Sequence, residues 1–517
     1  MGELERDPST HASETSDAAW IENVRPPGWR NPTPKPEYDL VVVGAGTGGL
    51  ITSLIASSLG ARVALIERHR MGGDCLNVGC VPSKALIGGA RGIHAAREAS
   101  ALGLAVDPAD HGDFAQVMAR LRAIRTRISR EDSAERYAGE FGIDVFFGEA
   151  RFAGNGRITL GDERLAYRKA VIATGARATA PPIPGLAEAG FLDNENVFEL
   201  RLRPQRLAVI GAGPIGCELA QAFRRLGSEV ILLEQMGRVL IREDADAAAI
   251  VQRSLAREGI ELVFGCRVER VEAAGGEKRI HVSGPGDARR ELAVDEILIG
   301  AGRAPNVEGL GLETVGVAFD SRKGIRVDDT LQTTNGRIFA VGDVCMDWKF
   351  THAADAAAKI AVQNALFSVG RIGRKKLSAL VMPWCTYTSP ELAHVGLTPA
   401  EAEARGIAID TYQVDLSENN RAVIDGEAEG FVKVHVRRGK DAIVGATIVA
   451  AHAGDLITQL TLAIERGIGL GAFTSVIYPY PTQGEVIKRA AGAYTRTRLS
   501  PAVKRIFAGW LALRRRL

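Results

Sequence analysis

Cysteine is scarce, six in 517 residues. A secreted disulfide scaffold uses far more, so paired cysteines here are expected to carry chemistry rather than staple the fold. An excess of charge of one sign is also missing. The 64 Lys+Arg against 62 Asp+Glu leave +2, which gives no electrostatic ground for a nucleic-acid partner. No run approaches the ~18 to 20 uninterrupted apolar residues of a membrane-spanning helix. Residues 1–36 are rich in Glu, Asp, Ser and Pro and lack the apolar core of a secretory signal. These absences point to a cytoplasmic protein without nucleic acid or a membrane span. What remains, 46% apolar and 24% charged residues, is ordinary globular composition, and at ~150 residues per domain the length suggests roughly three domains.

The polar leader 1–36 ends in Arg25-Pro26-Pro27-Gly28-Trp29-Arg30-Asn31-Pro32-Thr33-Pro34-Lys35-Pro36, where the prolines exclude helix and central strand. It is expected to lie over the surface or to be partly disordered. Globular structure is expected from Tyr38, where Asp39-Leu40-Val41-Val42-Val43 has the β-branched run of a buried parallel strand. One pattern then occurs twice. Val43-Gly44-Ala45-Gly46-Thr47-Gly48-Gly49 is echoed by Ile210-Gly211-Ala212-Gly213-Pro214-Ile215-Gly216, and in each copy a second strand ends in a carboxylate, Glu67 or Glu234, 23 residues after the first glycine. A lone GxGxxG is weak; two copies with strand before, helix after and an acid at one offset predict two dinucleotide-binding βαβ units. Gly44 and Gly211 make the tight turn, Gly46 and Gly213 let a pyrophosphate approach, Gly49 and Gly216 let helix and strand pack, and the acids accept hydrogen bonds from ribose hydroxyls.

Beyond residue 375 no further phosphate fingerprint occurs, and strand and helix signals read as a separate α+β domain. The last segment is basic and amphipathic, with Ile506, Phe507, Trp510, Leu511 and Leu513 among Lys504, Arg505, Arg514, Arg515 and Arg516. It reads as a packing or partner helix, with peripheral contact to an anionic membrane surface as the alternative.

After the first acid comes Gly72-Gly73-Asp74-Cys75-Leu76-Asn77-Val78-Gly79-Cys80-Val81-Pro82-Ser83-Lys84. A zinc half-site would need a second Cys or His pair at metal spacing, and none accompanies it. A redox-active pair fits better, since a thiolate beside a helix N-terminus and a cofactor is activated.

Gly72–Lys84 resembles the redox-disulfide signature of the flavoprotein disulfide reductases, the family of glutathione reductase, dihydrolipoamide dehydrogenase and mercuric reductase. The resemblance runs from about Tyr38 to Ser500 and includes Ala173-Thr174-Gly175, Ile338-Phe339-Ala340-Val341-Gly342-Asp343 and Tyr387-Thr388-Ser389-Pro390-Glu391. It implies an α/β fold of two Rossmann-like domains plus a C-terminal α+β dimerisation domain. FAD would be bound by 37–195 with 317–370, NAD(P) by 196–316, and the homodimer would be formed by 371–500, followed by the basic tail 501–517. Gly44, Gly46, Gly49, Glu67, Gly73, Lys84, Thr174, Gly175 and Asp343 would serve FAD; Gly211, Gly213, Gly216 and Glu234 would serve the nicotinamide nucleotide. Cys75 would be the interchange thiol, Cys80 the thiolate against the flavin, and Lys84 with Glu218 the ion pair near its reactive end. The acid closing the second strand favours NADH over NADPH, while Arg238 could soften that choice.

Disulfide-reducing members carry His-Pro-Thr-x-x-Glu near the C-terminus, given across the dimer interface, with histidine as acid–base catalyst. Here the segment is Tyr480-Pro481-Thr482-Gln483-Gly484-Glu485. A phenol, with a reference pKa near 10 against ~6.5 for imidazole, is a poor proton shuttle for thiols at neutral pH. Mercuric reductases have tyrosine at the matching place, and a soft Hg(II) ion takes two thiolates directly, so Cys75 and Cys80 would hold it transiently as substrate. Three departures stand beside this: no cysteine follows Cys385, the leader has no cysteine, and Pro214 replaces the tyrosine that gates the nicotinamide pocket in many relatives. Cys217, Cys266, Cys345 and Cys385 read as buried structural thiols. The expected acceptor is Hg(II) or a similar soft metal. Dihydrolipoamide, another small disulfide or a quinone is the alternative, and a redox sensor or non-catalytic complex subunit is the reading from another class.

Overall fold

Tyr38–Val43 (β1) is apolar on both faces, and all but one of its residues are buried, as a central parallel strand requires. The structure is a computed structural model and describes residues 8–516 apart from 108, 155, 301 and 371. The chain divides into two compact units, one built from residues up to 211 with 222–233 and 266–380, the other from 212–221, 234–265 and those from 381 onward.

In the first unit, helix Pro8–Val24 (α1) precedes β1, which leads through helix Thr47–Ser58 (α2) to strand Val63–Glu67 (β2). Then follow helices Gly73–Asn77 (α3), Cys80–Glu98 (α4) and Phe114–Ser129 (α5), and strands Asp144–Phe147 (β3) and Glu163–Ile172 (β4). The strands align in the order β3-β2-β1-β4, parallel throughout, with Val42 opposite both Leu65 and Val171. Strand Arg206–Ile210 (β5), helix Pro214–Arg225 (α6), most of which belongs to the second unit, and strand Glu229–Glu234 (β6) repeat the element order of the first βαβ unit, β5 pairing in parallel with β6. Helix Ala245–Arg257 (α7), which belongs to the second unit, follows in sequence, and strand Glu296–Ile299 (β7) of the first unit flanks β5 on its other side. Strand Ile338–Ala340 (β8) returns to the first sheet beside β4, and helix Thr351–Val362 (α8) comes next.

The second unit holds an antiparallel sheet of Pro383–Thr386 (β9), Glu391–Gly396 (β10), Ile409–Asp415 (β11), Phe431–Arg437 (β12) and Ile443–Ala450 (β13), in the order β9-β10-β13-β12-β11. Helices Ala453–Arg466 (α9) and Glu485–Arg498 (α10) pack on it around Val434, Ile448, Leu460 and Ile487. Helix Pro501–Arg514 (α11) follows.

Two features depart from expectation. Of the leader, residues 1–7 lie outside the described residues, but α1 is a helix packed against α5, with Trp20 and Val24 buried. Two anchors four residues apart are enough to dock one helix face yet too few to register as a periodic apolar pattern. Among the lone cysteines, Cys217 and Cys266 are buried, whereas Cys345 and Cys385 are only partly so. No helix among the described residues is long and apolar enough to cross a membrane.

Candidate active site

The first glycine loop is built as a cradle. Gly44 has φ +101, and a Cβ there would stand 2.5 Å from the Ala173 carbonyl oxygen. A Cβ at Gly49 would run into the Gly44 carbonyl, whereas over Gly46 the nearest atom is the Gly73 Cα, 3.7 Å away. The α2 N-terminus begins at Gly46 with no side chain capping it, so its free N–H groups are available to an anion. Backbone packed closely behind two glycines and space over the third suits a dinucleotide pyrophosphate.

Glu67 is buried at the end of β2. Its Oε2 accepts from the Ala45 N–H at 2.7 Å and its Oε1 from the His69 N–H at 2.7 Å. Burial pushes its carboxyl upward while those two backbone donors oppose the shift. The second copy reproduces the arrangement: Glu234 accepts from the Ala212 N–H at 2.8 Å and from the Met236 N–H at 2.8 Å. Gly211 turns at φ +103, and a Cβ on Gly213 would meet nothing within 4 Å. Arg238 is committed elsewhere. Its guanidinium donates to the carbonyls of Val239, Leu240, Ile241 and Glu243 at 2.8 to 3.1 Å.

The cysteine segment is pinned to the first loop. The Gly72 N–H donates to the Ala45 carbonyl at 2.8 Å, and a Cβ on Gly73 would come within 2.5 Å of the Gly46 Cα. Cys75 sits in α3 and Cys80 opens α4, whose N-cap Gly79 offers no side-chain partner, so the free N–H groups and dipole of a 19-residue helix favour negative charge at Cys80. The Cys75 thiol is pushed well above its ordinary range, first by its hydrogen bond with Cys80 and then by burial, while the Thr351 hydroxyl acts the other way. Thr351, at the start of α8, also lies 3.3 Å from Cys80 Sγ. The helix terminus thus favours negative charge at Cys80, while Cys75 holds its proton more tightly than an ordinary thiol. Asp132, itself raised to about 6 by burial and Glu131, adds to the hold on the Cys75 proton. Lys84 lies one turn beyond Cys80 and is half-buried.

Sequence reasoning missed the residues behind this segment. The Trp20 indole N–H donates to Asn77 Oδ1 at 3.0 Å, and the Asn77 amide donates to the carbonyls of Met71 and Gly73. The fully buried Arg125 lies over the Trp20 ring at 3.7 Å and donates to Glu199 at 2.6 Å and to the Asn77 carbonyl at 3.3 Å. The Met71 N–H donates to the Val24 carbonyl at 3.0 Å. Thus α1 braces the short helix that carries Cys75. Arg303 joins Asp74 to Asp343, reaching the latter at 3.5 Å; burial raises Asp343 and Arg303 opposes it. Thr174 and Gly175 are clasped by Asn306, which takes the Thr174 hydroxyl at 2.7 Å and donates to the Thr174 carbonyl at 2.9 Å and to the Gly175 carbonyl at 3.0 Å. Thr351, Trp20 and Arg303 are single residues of common types, with no spacing that advertises them.

In the second unit, the buried Glu218 of α6 accepts from the Tyr387 N–H at 2.8 Å. Tyr480 is 69% exposed, its hydroxyl accepting from Asn420 Nδ2 at 3.0 Å, and Glu485 opens α10. No cluster of three or more metal-ligating side chains occurs among the described residues.

Residues 38–358 match the pyridine nucleotide-disulphide oxidoreductase family, and 382–491 match its dimerisation domain. The chain is 35% identical over 454 residues to a mercuric reductase of Bacillus cereus, covering 88% of this chain and 71% of that one. It is 34% identical over 469 residues to a dihydrolipoyl dehydrogenase of Thermus scotoductus, covering 88% and 97%. The solved structure of the HOCl-induced flavoprotein disulfide reductase RclA from Escherichia coli aligns with a TM-score of 0.78 at 27% identity, covering 88% of this chain and 99% of that one. The chain belongs to the pyridine nucleotide-disulphide oxidoreductases: it is a flavoprotein enzyme that uses FAD and a pyridine nucleotide, and its dimerisation domain indicates a homodimer.

Proposed function

We propose that this enzyme passes two electrons from NADH to Hg(II) or a similar soft metal ion through the Cys75–Cys80 pair, as a cytoplasmic homodimer. In this reading 37–195 with 317–370 hold FAD, 196–316 hold the nucleotide and 371–500 form the dimer. The observation that carries it is the donor set: two sulfurs in hydrogen-bond contact, with Tyr480 standing where a disulfide reductase keeps its proton-shuttling histidine.

Bound FAD would supply two-electron transfer from nicotinamide to the Cys75–Cys80 disulfide and, once that is reduced, to the ion its sulfurs hold. The chain's residues do the rest. Gly44, Gly46, Gly49 and Glu67 hold one nucleotide, with Gly73, Lys84, Thr174, Gly175 and Asp343 along the same cofactor. Gly211, Gly213, Gly216 and Glu234 hold the other; the Glu234 carboxylate repels a 2′-phosphate, and Arg238, engaged with four carbonyls, is not available to attract one, so NADH is preferred to NADPH. Lys84 and Glu218 serve the reactive end of the flavin. The α4 N-terminus favours a thiolate at Cys80, Cys75 holds its proton until the metal displaces it, and both sulfurs then ligate the ion. Tyr480 and Glu485 of the partner protomer close the site, the phenol acting as weak ligand or hydrogen-bond donor. Overall NADH and Hg(II) give NAD⁺, Hg(0) and a proton, so charge and electrons balance.

The similarity to mercuric reductases supports this reading. A structural neighbour, RclA, is described as a Cu(II) complex at 27% identity, which bears on the wider class of thiophilic metals. A small-disulfide substrate is favoured by the similarity to dihydrolipoyl dehydrogenases and opposed by Tyr480. The test is anaerobic NADH consumption with Hg(II) in excess small thiol. Sustained turnover that vanishes in Cys75→Ala is expected; inhibition without turnover refutes metal reduction and returns the search to disulfides and quinones.

A further inference from the structure

Helix α11 presents an apolar face that the fold leaves uncovered. It is a self-standing helix: the Ser500 hydroxyl accepts from the Val503 N–H at its start, Pro501 occupies the first turn, and none of its residues is buried. Ile506, Phe507, Trp510 and Leu513 recur every three or four residues, hence on one side, and are 70, 57, 59 and 52% exposed. Lys504, Arg505, Arg515 and Arg516 fall on the other side, while Arg514, four residues after Trp510, lies within the apolar stripe. The matched dimerisation domain stops at residue 491, so this face is not part of that module.

We infer that α11 docks in the plane of an anionic lipid bilayer. The charge pattern selects this occupant. After Glu485 the sequence holds nine Lys and Arg and no acidic residue. A second copy of α11 laid face to face on the first would bury Arg514 in the shared apolar seam with no acidic residue of either tail to pair it, whereas anionic headgroups neutralise the cations as the aromatic and aliphatic side chains enter the acyl boundary. At 14 residues the helix is about 21 Å long, too short to span and suited to lying flat. Arg514, at its last turn, can reach the headgroups by extending its stem past the apolar side chains.

The test is flotation of the FAD-loaded full chain with phosphatidylcholine vesicles, with and without about 30% phosphatidylglycerol, at moderate salt, since cation–headgroup attraction is screened within a Debye length. Expected are binding at least about tenfold tighter to the anionic vesicles, a blue shift of tryptophan emission on binding, and loss of both in Trp510→Glu and in a chain ending at Leu499, with NADH oxidation unchanged in solution. The inference is overturned if the anionic vesicles do not float the protein, or if either variant binds as the parent does. It is equally overturned if light scattering shows the truncated chain falling from dimer to monomer, because the face would then belong to a second copy. Should the truncated chain fail to fold, Trp510→Glu and Phe507→Glu decide alone.

Discussion

Replacing Trp20 tests whether α1 is part of the redox machinery or a passenger. The indole is 4% exposed, so Trp20→Ala is expected to cost about 3 to 5 kcal/mol from lost burial and the cavity left behind. Part of that is the stacking of Arg125 on the ring at 3.7 Å, an interaction worth about 2 kcal/mol when desolvated. Trp20→Phe keeps a ring for Arg125 and removes only the indole donor, leaving Asn77 Oδ1 short of its partner for about 1 to 3 kcal/mol. Asn77 lies between Cys75 and Cys80, so the cost should be felt at the sulfurs. In urea unfolding followed by flavin release, the stability order is parent, Trp20→Phe, Trp20→Ala. In an anaerobic NADH titration, the long-wavelength absorption of the Cys80 thiolate against flavin should weaken in the same order. Variants that unfold with the parent and reproduce its absorption band would refute the brace.

Cys80→Ser should abolish that long-wavelength band while FAD stays bound, and a band that persists would remove Cys80 from its assigned place against the flavin. Tyr480→His should raise turnover of lipoamide severalfold by restoring an acid–base group, and an unchanged rate in steady-state assays would place the obstacle elsewhere. In the dimerisation domain His435 is held neutral, its pKa lowered from 6.5 to about 4 by burial first and then by His394 and Lys433. The unfolded chain therefore takes up the proton first as pH falls, and about 3 kcal/mol of stability present above pH 6.5 is lost on the way down to pH 4. Urea unfolding at stepped pH should show a shallower loss in His435→Gln, and an identical slope would exclude His435 as a source.

The nucleotide folds were legible because their chemistry imposes a local code. A pyrophosphate needs glycine where backbone must come close, and the two copies of the pattern kept even the spacing to Glu67 and Glu234. The same holds for Cys75 and Cys80, set five apart beside a helix start. The supports of the site were not legible, because each acts across long sequence separations. Trp20 meets Asn77 57 positions away, and Thr351 meets Cys80 271 positions away. Nothing local distinguishes a threonine that faces a sulfur from one that caps a helix. The helix formed by 8–24 escaped for a related reason: it is held by two buried anchors and by polar contacts such as Asn23 to Ser129 at 2.8 Å, not by a continuous apolar stripe.

The doubled hydrogen bonding of Glu67 and Glu234 bears on attempts to alter which coenzyme the enzyme prefers. Each carboxylate ties together the turn after its first glycine and the chain just beyond its own strand. Exchanging Glu234 for a neutral or basic residue, the obvious way to admit a 2′-phosphate, would also free the Ala212 and Met236 N–H groups and let the phosphate loop drift. If Glu234 selects the coenzyme as proposed, specificity and loop shape are stored in one side chain, and neither can be tuned without the other. On the proposed NADH reading, a redesign toward NADPH has an easier path through Met236, exposed two residues beyond Glu234, leaving the carboxylate in place as scaffold.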